Sequence, residues 1–269
     1  MNILDIVCPY EAPMGAQEGG APVGRATKSD VLVIIPAYNE AENLPHVLAD
    51  LARCSSGLDV VVIDDSSWDE TPRVAAELGA HVVSLPNNLG YGGALQTGFK
   101  FALERGYTYA VTLDGDGQHD CACIAALLKP VQAGAADVAI GSRFLGEVEY
   151  HTTWAKRLGM RLFGAVVARY TGRRITDVTS GFQALNHKVL TFFARDNYPA
   201  DYPDADMLLL LHYAGFKVTE VPVNMRNRLA GVSMHTSWKV FYYIFKMFLS
   251  LFIIWLRQKT RRRLAEATS

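Results

Sequence analysis

Five short, continuous runs of apolar residues recur along the first half of the chain, and they limit its fold more than any other feature. The runs cover residues 31–35, 60–63, 82–85, 109–113 and 138–140. Apolar residues that do not alternate with polar ones are typical of strands buried on both faces of a parallel sheet. Helical patterns lie between the runs, so strand and helix alternate and predict an open α/β sheet with right-handed crossovers.

Two of the intervening segments carry apolar stripes at helical spacing. The stripes comprise Leu44, Val47, Leu48 and Leu51, and Ile124, Leu127, Leu128 and Val131. Each stripe predicts an amphipathic helix that packs on the sheet. Asn39 with Glu42, and Ser67 with Glu70, have the spacing of capping boxes and predict the starts of two helices.

Polar residues follow three of the apolar runs at the point where each predicted strand ends. The three clusters are Pro36-Ala37-Tyr38-Asn39-Glu40, Asp64-Asp65-Ser66-Ser67 and Asp114-Gly115-Asp116-Gly117-Gln118-His119-Asp120. In open α/β sheets ligands bind beyond the carboxyl ends of the strands, so we expect the clusters to meet there. Carboxylates gathered at one edge repel each other unless a cation lies among them. Mg²⁺ or Mn²⁺ prefers such oxygen ligands and leaves positions open for phosphates.

Other ligand-binding motifs fit this sequence poorly. The acidic cluster is not an EF-hand loop, because His119 replaces the required glycine and Ala125 replaces the closing glutamate. The first strand is not followed by a glycine-rich dinucleotide fingerprint, and Phe99 stands where a P-loop requires lysine. Cys121 and Cys123 beside His119 suggest zinc only weakly, because no second ligand pair follows at the spacing of a zinc finger.

The charge of the chain is divided between its two halves. Residues 151–269 hold 18 Lys and Arg against 7 Asp and Glu, whereas residues 1–150 hold 8 and 20. An acidic half favours a metal ion and a basic half favours phosphates or anionic lipid, although two solvated faces would give the same counts. The four cysteines form no disulfide framework and fit a reducing compartment. We expect no nucleic-acid partner.

An ordered series of motifs, over roughly residues 30–235, resembles family 2 glycosyltransferases of the GT-A fold. The motifs are Val33-Ile-Ile-Pro-Ala-Tyr-Asn-Glu40, Val62-Ile-Asp-Asp65 and Asp114-Gly-Asp116. More narrowly, the chain resembles the polyprenyl-phosphate hexose synthases, the group that contains dolichyl-phosphate mannosyltransferase. This narrower resemblance rests on Asn88-Leu-Gly-Tyr-Gly-Gly-Ala94, Asp114-Gly-Asp-Gly-Gln-His119, Gly141-Ser-Arg-Phe144, Asp177-Val-Thr-Ser-Gly-Phe182, Glu220-Val-Pro-Val223 and Arg228-Leu-Ala-Gly231-Val-Ser233.

The resemblance implies a Rossmann-like, mixed but mainly parallel sheet flanked by helices. It also implies a metal-dependent enzyme that transfers a hexose or N-acetylhexosamine from a UDP- or GDP-sugar to a polyprenyl or dolichyl phosphate, for glycan or cell-envelope assembly. Two alternatives stay open. A glycosyltransferase that extends a saccharide or polysaccharide would share the donor site and differ at the acceptor. A non-catalytic nucleotide-sugar-binding module would keep the fold, but it has little need of the Asp114 and Asp116 pair.

The resemblance further implies roles for individual residues. The donor would be bound by Pro36, Tyr38, Glu40, Asp65, Asn88, Gly90, Asp114 and Arg228. The Mg²⁺ or Mn²⁺ ion would be bound by Asp114, Asp116 and Gln118. The acceptor phosphate would meet Arg143, Arg157 and Arg161, although relatives often carry serine at the position of Arg161. The candidate catalytic or positioning carboxylates are Asp116, Asp177 and Asp204, and for Asp204 a carboxylate favoured by a helix N-terminus is an equally good interpretation.

The last part of the chain predicts a helix that lies in a membrane interface. Residues 238–256 are almost all apolar, but Lys239 and Lys246 interrupt them and fall on one side of a helix. A narrow polar stripe of this kind, followed by a basic tail, is typical of an amphipathic helix held by anionic headgroups. The alternative is packing on its own domain or on a membrane helix of a partner. A small membrane protein or a second copy of the chain are the candidate partners.

Three segments are therefore expected. Residues 1–29 are rich in glycine, proline and alanine without periodicity and are predicted to be a mobile leader, with no secretion signal. Residues 30–235 are predicted to form the glycosyltransferase domain, and residues 236–269 the interface helix with its basic tail. This arrangement predicts a peripheral protein at the cytoplasmic face of a membrane.

Overall fold

The computed structural model describes residues 29–55, 57–145, 164–165, 167–172, 174–195, 198–199, 205–226 and 249. The strands are β1 (Val31–Ala37), β2 (Asp59–Asp64), β3 (His81–Ser84), β4 (Tyr109–Thr112), β5 (Val138–Ser142), β6 (Gln183–Asn186) and β7 (Val218–Pro222). The helices are α1 (Leu44–Cys54), α2 (Thr71–Glu77), α3 (Gly90–Glu104), α4 (Ile124–Gln132), α5 (His187–Phe193) and α6 (Ala205–Tyr213), and a 3₁₀ turn at Cys121–Cys123 precedes α4.

The seven strands form one mixed sheet in the order β3-β2-β1-β4-β6-β5-β7. Strand β1 runs parallel to both β2 and β4, β2 runs parallel to β3, and β5 runs parallel to β7. Strand β6 lies between β4 and β5 and is antiparallel to both. The expected mixed, mainly parallel sheet flanked by helices is confirmed, and each of the five apolar runs forms a strand.

The continuous apolar runs are explained by helices on both faces of the sheet. Alternate residues of β1 belong to two different cores: Leu32 and Ile34 face α3, whereas Val33 packs on the side of α1 and α4. Both predicted helical stripes are buried in the second core. Helix α3 approaches β1 closely at Gly98, where a built Cβ atom would lie 2.3 Å from Ile34 Cγ2. Strand β1, whose carboxyl end leads to the expected site, is therefore packed against helices on both faces.

The two predicted capping boxes are wrong. Helix α1 begins after Asn43 and α2 begins after Glu70, and neither of these side chains caps its helix. Asn39 and Ser67 instead join two loops, because the Asn39 N–H donates to Ser67 Oγ at 2.9 Å and the Trp68 N–H donates to Asn39 Oδ1 at 3.0 Å. Side chains that can cap a helix can equally hold a turn. Here they tie the ends of β1 and β2 together at the edge expected to bind ligand.

The predicted terminal segments lie mostly outside the described residues. This holds for the leader apart from Ser29 and for the interface helix apart from Leu249. Within the part of the chain that the structure describes, no helix is long and apolar enough to cross a membrane.

Candidate functional site

The residues 114–120, termed the acidic turn, follow β4 at the carboxyl edge of the sheet. The carboxylate of Asp114 is held at both oxygens. The Tyr91 hydroxyl donates to Oδ1 at 2.8 Å, and His119 Nε2 lies 3.0 Å from Oδ2. The His119 side chain is 3% exposed, and its ring centroid lies 4.9 Å from that of Phe182. Asp114 is therefore fixed in orientation by two side chains from different parts of the chain.

These contacts also keep Asp114 charged. Burial disfavours its carboxylate, but the hydrogen bond and the electrostatic interaction with His119, together with the Tyr91 hydroxyl, outweigh burial and hold the pKa of Asp114 below its usual value. Arg143 adds a further favourable electrostatic interaction. An ionised carboxylate on a half-buried turn is suited to bind a cation.

The acidic turn carries oxygen donors of the type that a divalent cation requires. Asp116 Oδ1 accepts a hydrogen bond from the Gln118 N–H at 3.1 Å, so the two predicted ligands share one turn with Asp114. The described residues contain no group of three or more His, Cys, Asp or Glu that could hold a metal ion. The predicted ligand set is two carboxylates and one amide, and it leaves the remaining positions to a phosphorylated ligand. Such a hard, open donor set fits Mg²⁺ or Mn²⁺.

Gly115 brings the acidic turn against the loop that follows β1. A Cβ atom built on Gly115 would lie 3.5 Å from the Pro36 carbonyl oxygen and 3.5 Å from Glu40 Cγ. Glu40 itself accepts from Asn43 Nδ2 at 2.6 Å through Oε2. The structure thus places two of the predicted donor-binding residues close to Gly115, which lies between the predicted metal ligands Asp114 and Asp116.

Asp65 follows β2, and its carboxylate lies in space at the start of helix α3. Its carboxylate oxygens accept from the Leu89 N–H at 2.7 Å and the Gly90 N–H at 2.9 Å. The Asn88 side-chain amide donates to the Asp65 carbonyl oxygen at 3.1 Å. Burial raises the pKa of Asp65 above its usual value, although the two N–H donors oppose this shift. The predicted donor residues Asp65, Asn88 and Gly90 therefore form one interlocked unit, and their contact with a donor stays a prediction.

Two aromatic side chains at this edge are exposed to solvent. Tyr38, predicted to bind the donor, is 47% exposed, and Trp68, which follows β2, is 81% exposed. The sequence analysis did not select Trp68, because a single tryptophan in a polar loop has no pattern that marks it.

Arg143 and Asp177 form a two-pronged ion pair after β5. Arg143 Nε donates to Asp177 Oδ2 at 2.6 Å and Nη2 donates to Oδ1 at 2.6 Å. The same Nη2 donates to Thr179 Oγ1 at 2.7 Å. The Asp177 side chain is fully buried and that of Arg143 is 15% exposed. Two residues that were predicted separately at the acceptor therefore act as one unit in the structure.

Glu220 of β7 holds the backbone of this unit in place, and the sequence analysis missed this role. Its Oε1 accepts from the Asp177 N–H at 2.9 Å and from the Thr176 hydroxyl at 2.7 Å. The Thr176 hydroxyl also lies 2.7 Å from Ser142 Oγ at the end of β5. The motif that starts at Glu220 was recognised, but no spacing rule connects it with residues more than 40 positions earlier.

Gly181 connects the Asp177 loop with the acidic turn. A Cβ atom built there would lie 2.4 Å from the Tyr91 hydroxyl oxygen and 3.1 Å from Asp114 Oδ1. The Thr112 hydroxyl at the end of β4 donates to the Gly181 carbonyl oxygen at 2.5 Å. Only a residue without a side chain leaves room for Asp114 at this point, so the predicted acceptor and metal motifs meet here.

The comparisons with known proteins agree with this convergence of motifs. The model of the glycosyl transferase family 2 matches residues 32–193. The chain belongs to glycosyl transferase family 2. It is similar to the polyprenol monophosphomannose synthase of Mycolicibacterium smegmatis, which is 35% identical over 236 residues that cover 84% of this chain and 87% of that protein. The undecaprenyl-phosphate mannosyltransferase of Micrococcus luteus is 34% identical over 213 residues, which cover 76% of this chain and 86% of that protein.

A solved structure shares the fold at low sequence identity. The glucosyl-3-phosphoglycerate synthase of Mycobacterium tuberculosis, in complex with Mn²⁺ and UDP-glucose, aligns with a TM-score of 0.64 and 19% identity. The alignment covers 88% of this chain and 84% of that chain. The expected GT-A type fold and the expected glycosyltransferase family are both confirmed.

Some predicted site residues of this glycosyltransferase lie outside the described residues. These are the carboxylate Asp204 and the three arginines Arg157, Arg161 and Arg228. Their roles stay predictions.

The weak suggestion of zinc beside the acidic turn gains no support from Cys121. Burial, followed by nearby negative groups such as Asp50, raises the pKa of the Cys121 thiol to about 12. Burial of this kind disfavours the thiolate, which is the form that binds zinc.

Proposed function

We propose that this glycosyltransferase moves a hexose from a nucleotide-sugar donor to a polyprenyl phosphate at the cytoplasmic face of a membrane. The names of both relatives combine mannose with a polyprenol or undecaprenyl phosphate. The observation that carries the proposal is the meeting of three motifs at one edge. Gly115 of the acidic turn lies close to Pro36 and Glu40, and Gly181 of the Asp177 loop lies so close to Asp114 that an added Cβ atom would crowd it.

The donor is proposed to lie across the loops that follow β1, β2 and β3. Its base and ribose would contact Pro36, Tyr38, Glu40, Asp65, Asn88 and Gly90, and Arg228 would meet its phosphates. A divalent cation, Mg²⁺ or Mn²⁺, would be held by Asp114, Asp116 and Gln118, and it supplies positive charge for the diphosphate that departs. Tyr91 and His119 both contact Asp114, and they keep this ligand oriented before the donor arrives.

The reaction we propose is a single displacement at the sugar. An oxygen of the acceptor phosphate attacks C1 of the sugar, and the bond from C1 to the diphosphate oxygen breaks with its electron pair leaving on the diphosphate. The second pKa of a phosphate monoester is about 6, so the nucleophile is largely ionised at neutral pH and a strong general base is not required.

On the acceptor side, Arg143 is proposed to contact the phosphate together with Arg157 and Arg161. Asp177 is proposed to act through Arg143, since its carboxylate is fully buried and both oxygens accept from that guanidinium. The pair would hold the guanidinium at a fixed angle to the incoming phosphate. Asp204 stays a candidate for positioning the acceptor.

Transfer of a radiolabelled sugar to lipid tests this function. The purified protein would be incubated with GDP- and UDP-sugars, beginning with GDP-mannose, a short polyprenyl phosphate, and Mn²⁺ or Mg²⁺. We expect label in the lipid fraction with one donor, and none with the same polyprenol lacking phosphate or in excess EDTA. Transfer to a free saccharide or to a soluble phosphate ester in preference to the lipid would contradict the proposed acceptor.

Membrane attachment is proposed to depend on residues 236–269, by the amphipathic pattern described above. Deletion of these residues should release the protein from anionic liposomes, while nucleotide and metal binding persist because the residues proposed to bind them lie upstream. Replacement of Arg261, Arg262 and Arg263 by Gln should weaken liposome binding most clearly at low salt, where charges are least screened. A truncated protein that still sediments with liposomes would show that the attachment lies elsewhere.

A further inference from the structure

Arg226 lies just beyond β7 and runs alongside the end of the acidic turn. Its backbone N–H donates to the Gln118 carbonyl oxygen at 2.8 Å. The preceding residue, Met225, forms an isolated antiparallel bridge with His119. The chain after β7 is therefore paired, through main-chain contacts, with two residues of the acidic turn. One is His119, which orients Asp114, and the other is Gln118, a predicted metal ligand.

The Arg226 guanidinium adds a second level of contact. Nη2 lies 2.8 Å from Asp120 Oδ1 at the end of the acidic turn. Nη1 pairs with Asp50 Oδ2 on helix α1. One cation thus joins three separate elements, namely the turn, α1 and the chain after β7. Without it, Asp120 would lose this ion pair, and Asp50 would keep its pair with Arg53.

The location of this cation suggests a positioning role rather than a role in stability. The Arg226 side chain is 43% exposed, and ion pairs exposed to this extent contribute little to folding, because water and salt screen them. Yet its backbone N–H contacts the predicted metal ligand Gln118, and its guanidinium contacts Asp120, two residues further along the same turn. Arg228, the predicted donor-phosphate contact, follows two positions later in the sequence.

We propose that Arg226 is a positioning residue that fixes the Gln118 end of the acidic turn for binding of the metal and the donor diphosphate. The inference rests on the proposed function, because it assumes that the turn binds a metal-nucleotide complex. Loss of the guanidinium would remove the side-chain link from Asp120 of the turn to Asp50 of α1, so that the chain after β7 would hold the turn through main-chain contacts alone. Gln118 would then occupy its ligand position for a smaller fraction of the time.

The same Asp50 provides a matched control. Its other oxygen, Oδ1, accepts from Arg53 Nη2 at 2.7 Å within helix α1. Arg53→Gln therefore removes an arginine from the same carboxylate without touching the acidic turn. Asp120 is less suited to substitution, because its Oδ1 also accepts from the Ala122 N–H at 3.2 Å and caps the 3₁₀ turn.

The experiment measures binding of Mn²⁺ to the full chain by electron paramagnetic resonance, in the presence of GDP and, separately, of UDP. Arg226→Gln should weaken Mn²⁺ binding about tenfold, as is typical when a residue that supports metal ligands is removed. Arg226→Lys keeps the positive charge but cannot reach Asp50 and Asp120 through two separate nitrogens. Its affinity for Mn²⁺ should therefore lie between those of Arg226→Gln and the unmodified chain. Arg53→Gln should stay within about twofold of the unmodified chain, as expected of an exposed helix pair. Thermal unfolding should be similar for Arg226→Gln and Arg53→Gln.

Four results would overturn the inference, and they can be told apart. If the unmodified chain binds Mn²⁺ with a nucleotide and Arg226→Gln binds equally well, the positioning role is wrong and the proposed function stands. If both glutamine variants lose affinity equally, the cause is the charge near Asp50 and the positioning role is again wrong. If the unmodified chain binds no Mn²⁺ with either nucleotide, the proposed metal site and this inference fail together. Should Arg226→Gln prove unfolded by circular dichroism, Arg226→Lys decides, and Mn²⁺ affinity equal to that of the unmodified chain would reject the role.

Discussion

The carboxylates at the two ends of the site are held in opposite ways. On the proposed donor side, Asp65 is held by two backbone N–H groups, and Asp114 by the Tyr91 hydroxyl and a histidine nitrogen. On the proposed acceptor side, Asp177 is held by the guanidinium of Arg143. Backbone amides and a hydroxyl bring no full charge to a carboxylate, whereas a guanidinium brings a full positive charge. His119, which also interacts electrostatically with Asp114, lies between these two cases.

This difference assigns distinct electrostatic tasks to the two ends. The donor end retains negative charge, which a divalent cation can neutralise. At the acceptor end the Arg143 charge is balanced inside the protein, so this residue supplies direction and hydrogen bonds more than net charge. The additional positive charge for a phosphate dianion would come from other residues, and Arg157 and Arg161 are the predicted sources.

The largest effect is expected from Asp116→Asn on the donor side. The substitution keeps the volume of the side chain and removes the charge that a metal ligand needs, so turnover should fall by about 100-fold or more. Steady-state kinetics with saturating Mn²⁺ would measure it, with circular dichroism as the check on folding. Turnover near that of the unmodified chain would mean that the acidic turn does not act through a metal.

A smaller effect, but one on both stability and acceptor binding, is expected from Arg143→Ala. The change leaves Asp177 buried without its ionic partner, which typically costs about 3–5 kcal/mol of unfolding free energy. It should also raise the KM for lipid phosphate more than the KM for the donor. Urea unfolding and initial rates would measure the two effects.

Arg157→Ala serves as the comparison for this substitution. If the acceptor charge comes from Arg157, its loss should raise the KM for lipid phosphate at least as much as the loss of Arg143 does. An Arg143→Ala protein as stable as the unmodified chain would show that the ion pair is not the structural unit described here.

Gly181→Ala tests the junction between the two ends. The new methyl group would meet the Tyr91 hydroxyl at 2.4 Å, so Tyr91 or Asp114 must move. We expect affinity for Mn²⁺ with nucleotide to fall about tenfold, and stability by about 1–3 kcal/mol from overpacking.

Gly98→Ala is the control for overpacking alone. It places a methyl group 2.3 Å from Ile34 Cγ2, in the core and away from the acidic turn. It should lower stability by a similar amount, about 1–3 kcal/mol, and leave Mn²⁺ affinity of the folded protein unchanged. Equal losses of Mn²⁺ affinity in both variants would mean that the junction at Gly181 has no specific role.

The smallest effect is expected from Tyr91→Phe, and it should depend on pH. The pKa of Asp114 lies below its usual value of 3.8, so its contribution to stability is present above that pH and is lost as the pH falls through the folded-state pKa. Removal of the hydroxyl should raise this pKa toward the usual value and cost about 1 kcal/mol at neutral pH. In the presence of a chelator, urea unfolding should therefore show a difference at pH 6 that shrinks by pH 3. A difference independent of pH would point to packing instead.

Much of the fold could be predicted because the first four strands and their helices obey local rules. Strand β6 could not, since its four residues, Gln183–Asn186, begin and end with a polar amide and show no apolar run. Its antiparallel insertion between β4 and β5 is a property of the whole sheet. The capping predictions failed for a related reason, because Asn39 and Ser67 found partners across two loops rather than within a helix.

The candidate site was predictable in its residue types and less so in its partnerships. The position of Asp114 after a buried strand marked it as a ligand candidate. Its contact with Tyr91 joins residues 23 positions apart, and the anchor from Glu220 to Asp177 joins residues 43 positions apart. Such pairs depend on where helices and strands stop, which sequence patterns define only to within a few residues.

The place of β6 in the sheet affects how the chain folds during synthesis and how truncated fragments behave. Strands β4 and β5 leave the ribosome before the strand that joins them exists, so one edge of β4 stays unpaired until Gln183–Asn186 has emerged. Unpaired edges attract other extended chains, and pairing over a long sequence distance is slow. A fragment that stops before Gln183 would contain most of the predicted nucleotide contacts and still display this edge. We therefore expect such fragments to aggregate, and the nucleotide site to be inseparable from the second half of the protein.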